Sequence, residues 1–162
     1  MKRLLACLAI ALFAALPARA DTLPGQARAE AARLLVQVNT AQAAAKAKAG
    51  LKPAPLEPAM ISDLQRFGLA ASRLSVEIDQ RGGPVDLRCI FRGMAEETDV
   101  QLKAASAAAT GAAQSQALGR LSHMLKDAVE IAPAVGGQTP GTKTAANTRS
   151  AAVQKCEVVR DW

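Results

Sequence analysis

Apolar residues recur along this chain at alternating steps of four and three, the spacing of one face of an α-helix. The first such stripe is Ala27, Ala31, Leu34, Val38, Ala41 and Ala45, ended by Gly50 and the stretch Lys52-Pro53-Ala54-Pro55. A second opens near Pro58, a residue suited to a helix's first turn, and carries Met60, Leu64, Phe67, Ala71, Leu74 and Ile78. Gly82-Gly83-Pro84 closes it. The third stripe is Leu87, Phe91, Met94, Thr98, Leu102 and Ala105, with Asp86 placed where a first turn favours negative charge. Leu118, Leu121, Leu125, Ala128 and Ala132 make the fourth, ended by Pro133 and Gly136-Gly137.

Four stripes of similar length on short connectors predict an all-α fold, a small up-and-down bundle of about four helices spanning residues 21–135. Its weakest boundary is Thr110-Gly111, because Ala104 to Ala109 favour continued helix. Were that boundary absent, helices three and four would fuse into a rod of about fifty residues, roughly 75 Å long, that favours a homodimer. Typical helix lengths favour four separate helices. Residues 136–148 have no apolar face and read as a polar linker, and residues 149–162 as a C-terminal tail.

Residues 1–20 follow a different pattern. Lys2 and Arg3 precede an apolar run from Leu4 to Leu16, and Ala18-Arg19-Ala20 offers small residues at the positions a signal peptidase accepts. The run is too short to span a membrane. It predicts a secretory signal peptide cleaved after Ala20 and a periplasmic or secreted product of about 142 residues. Leu4-Leu5-Ala6-Cys7 resembles a lipobox, but only three residues separate Cys7 from Arg3, too few for an export-competent apolar region.

Loss of that leader changes the charge. The formal net charge of +6 falls to +3 without Lys2, Arg3 and Arg19. Such a balance, with Phe67, Phe91 and Trp162 as the only aromatic residues beyond the leader, excludes nucleic-acid binding by charge or base stacking. A core poor in aromatic residues and rich in Ala, Leu and Val again favours close-packed helices over strands.

Two cysteines remain, Cys89 and Cys156. In an oxidising compartment they are expected to form one disulfide, the alternative being two unpaired thiols. Cys89 lies about 200° around the helix from both Leu87 and Phe91, so it faces away from the seam. The bond therefore reads as a clasp holding the tail outside the third helix.

Candidate chemistry is sparse. His123 is the one histidine. Non-covalent haem in a bundle would use it with Met60 or Met94 as axial ligands, and copper would use His123, Met124 and another methionine. His123 lies two residues from both Leu121 and Leu125, off the core stripe, so an exposed histidine is the expected state. Glu96-Glu97 with Asp99 forms an acidic patch, which Lys103 four residues after Asp99 makes an ordinary solvated face. His123 and Asp127 are expected to pair in the same way. With no phosphate loop and no nucleophile beside a base, the chain is not expected to be an enzyme or to carry a cofactor or metal. Asp86-Leu-Arg-Cys-Ile-Phe-Arg-Gly-Met-Ala-Glu-Glu is its most distinctive segment, and no activity attaches to it. The expectation is a surface-acting scaffold, adaptor or chaperone-like factor with a protein partner in the cell envelope. A haem- or copper-binding bundle is the alternative.

Overall fold

A computed structural model describes residues 22–136 and Cys156, and among these it contains four helices and no strand. They are α1 (Leu23–Ala47), α2 (Pro58–Gln80), α3 (Val85–Ala107) and α4 (Gly111–Gly136). The expected leader, linker and most of the tail lie outside the described residues. Each predicted stripe is the buried face of its helix, with Ala41 and Leu87 at its partly covered margin. The core they form is thin: among the described residues Phe67 and Phe91 are its only aromatic side chains, and alanine supplies much of the rest.

Local chemistry fixes the ends. Thr22 caps α1, its hydroxyl accepting from the Gly25 amide at 3.4 Å, and Pro24 occupies the first turn. At the end of α2 the Gly83 amide donates to the Ile78 carbonyl at 2.8 Å and that of Gly82 to Asp79 at 3.0 Å. Gly82 takes the left-handed conformation (φ 65°) that this stop requires. Asp86 lies in the first turn of α3. Pro133 does not end α4, which runs on to Gly136. A proline this near the end costs one backbone bond to the preceding turn, and the helix continues past it.

Around the bundle, α1 packs most extensively on α4 and α2 on α3, with α3–α4 and α1–α2 contacts closing the ring. Neighbours run antiparallel. The end of α1 meets the start of α4, where the Gly111 amide donates to the Leu51 carbonyl (2.9 Å) and Ala112 to Ala49 (3.0 Å). Further along the same pair, Ser122 donates to Asn39 at 2.6 Å.

Thr110-Gly111 is a real break. Ala108 turns extended, Thr110 caps α4 through the Ala113 amide (3.2 Å), and Gly111 presses against α1. A Cβ on Gly111 would stand 2.3 Å from the Lys48 carbonyl oxygen and 2.4 Å from that of Ala45. Gln114, buried in the next turn, donates to the Ala54 and Ala105 carbonyls at 3.0 and 3.3 Å. One side chain thus ties the α1–α2 connector to the end of α3.

Candidate functional site

The structure keeps the sequence candidates apart. Met60 on α2 and Met94 on α3 are buried core residues, while His123 on α4 is exposed. Met124, next to His123, points the other way into the core, where the Thr98 hydroxyl lies 3.5 Å from its sulfur. The same hydroxyl donates to the Met94 carbonyl at 2.7 Å. No methionine among the described residues therefore stands on the histidine's side of α4. Among the described residues, no group of three or more His, Cys, Asp or Glu side chains is placed to hold a metal ion.

His123 instead lines a shallow, open groove between α1 and α4, together with Gln42, Lys46, Gln116, Gly119 and Arg120. Its ring sits among cations and amides. The expected pairing with Asp127 is not made: no ion pair joins the two, and Asp127 is half-buried while His123 faces the groove. A second shallow groove, between α2 and α3, is lined by Ile61, Gln65, Leu102 and Lys103.

The carboxylates of the acidic patch are each engaged within their own helix. Arg92 donates to Glu96 at 3.0 Å, Gln101 to Glu97 at 2.9 Å and Lys103 to Asp99 at 2.6 Å. No two share a cleft that would split their proton affinities.

Cys89 and Cys156 are joined, with an S–S distance of 2.02 Å and their Cα atoms 5.4 Å apart. The expected bond is therefore present, one turn into α3, while the tail it was expected to clasp lies outside the described residues apart from Cys156. Arg88 beside it pairs with Asp79 across the α2–α3 turn.

Three features of the surface escaped the periodicity argument. Asp63 on α2 is nearly buried and accepts from both Arg33 of α1 and Arg66 of its own helix. Glu30 closes this ring, 3.4 Å from Arg66 and 3.7 Å from Arg33. Large aliphatic side chains also stand exposed on outward faces, Leu69 at 60% and Val76 at 53% on one face of α2 among them. Finally, two stretches of the chain carry cations without acids. Residues 31–56 contain Arg33, Lys46, Lys48 and Lys52 and no acid, and residues 100–126 contain Lys103, Arg120 and Lys126 and no acid. Of these, Lys46, Lys48 and Lys52 lie where α1 finishes and α4 begins, whereas Arg33 pairs with Asp63, Lys103 pairs with Asp99, and Arg120 and Lys126 stand further along α4.

Fold and site together define an all-α, antiparallel four-helix bundle with a disulfide on its outer surface. Compared with protein-family models, curated proteins and solved structures, the chain finds no match.

Proposed function

We propose that this is an exported protein, delivered to the cell envelope by its leader Met1–Ala20, that acts by holding another envelope protein as a scaffold, adaptor or chaperone-like factor. The observation that carries this reading is the outward face of α2. Leu69 and Val76, two turns apart, are exposed where the core has no use for them. Arg73 stands between them, exposed and without an ion-pair partner among the described residues. An apolar pair beside a free guanidinium fits a partner that offers an apolar patch with an acidic rim.

The α2 face is tested by a photo-crosslinking residue placed at Ser72, between the two aliphatic residues, in the native host. The expected result is one discrete crosslinked envelope protein, lost when Leu69→Lys and Val76→Lys are combined and retained by a folded control with Ala43→Lys on α1. Crosslinking that survives the double substitution, or none from Ser72, rejects this face as the contact.

A further inference from the structure

We infer that the end of the bundle where α1 finishes and α4 begins docks on an anionic lipid bilayer, its cations meeting headgroup phosphates and Leu51 entering the interface. Charge is the first support. Lys46, Lys48 and Lys52 on α1 and its connector, with Arg120 across the groove on α4, are all exposed. The chain carries no Asp or Glu from residue 31 to 56 or from 100 to 126, so no carboxylate in either run neutralises them. Glu57, the next acid, follows the prolines of the connector.

Leu51 is the second support. Its side chain is 65% exposed, between Lys48 and Lys52, on the turn that leaves α1. This is not a loosely held loop. The Leu51 amide donates to the Lys48 carbonyl at 2.9 Å, and its own carbonyl accepts from Gly111 at 2.9 Å. The Gly111 backbone is in turn wedged against Lys48 and Ala45. A fixed backbone thus presents a large apolar side chain to solvent, flanked along the chain by Lys48 and Lys52. Burial in a folded monomer does not explain that arrangement, whereas a phosphate-rich surface over an apolar layer satisfies both parts. No helix among the described residues is long and apolar enough to cross a membrane, so the contact is peripheral.

Co-sedimentation of the oxidised, exported protein with vesicles of phosphatidylcholine, with and without phosphatidylglycerol, tests this directly. Binding is expected to the anionic vesicles alone and to weaken as salt rises. Each of Lys46→Ala, Lys48→Ala and Lys52→Ala should weaken it about five-fold. Leu51→Ser should weaken it about ten-fold, with an unchanged urea midpoint because the side chain is exposed. Arg81→Ala, beyond the far end of α2, should have no effect. Equal binding to neutral vesicles, a loss with Arg81→Ala matching that of the lysine variants, or binding indifferent to Leu51 overturns the inference. So does saturable binding of inorganic phosphate at the His123 groove without vesicle binding, which would make this a small-anion site. Equal affinity for duplex DNA would also overturn it.

Discussion

Single residues decide how closely these helices approach, and two of them do so by unlike means. Gly111 is required by contact: its missing side chain lets the first turn of α4 take up the carbonyls that follow α1. Gly111→Ala is expected to cost about 2 kcal/mol, because neither carbonyl can retreat without breaking the turn. A urea midpoint equal to that of the parent would show the approach to be looser than described. Asp63 is required by charge, since Arg33 and Arg66 converge on it. Asp63→Asn removes the charge and keeps the shape, and should lower stability by about 1.5 kcal/mol, measured by the same unfolding curve. Both arginines are half-exposed, so water takes up part of what the carboxylate gave.

At the scale of elements, the helices were legible because burial in a bundle is periodic and sequence records the period. Ala27, Ala31, Leu34 and Val38 lie on the core face for the same reason that they fall four and three apart. The break at Thr110-Gly111 was the weakest boundary in the sequence, favoured by typical helix lengths, and its cause, contact with α1, is tertiary. What sequence hid were the pairings between helices. Nothing local tells that Arg33 will find Asp63, or that Gln114 will bridge the connector and α3. The expected His123–Asp127 pair is absent although spacing permits it: His123 is exposed along the α1–α4 groove, and Asp127 is half-buried. The close α1–α4 seam is itself testable. Ala31→Leu should cost about 1–3 kcal/mol by overpacking, while Ala43→Leu on the exposed face of α1 should stay within about 0.5 kcal/mol of the parent. Equal effects would mean that the seam has room.

For the whole molecule, the Cys89–Cys156 bond closes a separation of 67 residues and joins the chain's last segment to α3. Constraint of the unfolded chain by a loop of that size is worth roughly 4 kcal/mol, a large share of what a domain this small has in hand. Unfolding in urea with and without reductant should show a loss of that order. An unchanged midpoint with both thiols free would make the bond incidental to stability. Of the exposed aliphatic residues, Leu51 stands on the lysine-flanked turn after α1 and Leu69 and Val76 on the outer side of α2, with Val36 on α1 and Ile90 and Val100 on α3. A protein with one face for a membrane and another for a partner would hold that partner at the bilayer, as an envelope scaffold must.

Whether this is an exported bundle that works through protein contact rather than a bound group is tested by native mass spectrometry of the protein drawn from its host's exported fraction without refolding. The expected spectrum holds the mass of residues 21–162 less two hydrogens, free of any small molecule and accompanied by a complex with a second protein. An unprocessed chain retained inside the cell, or a stoichiometric added mass of haem or a metal ion, would contradict it.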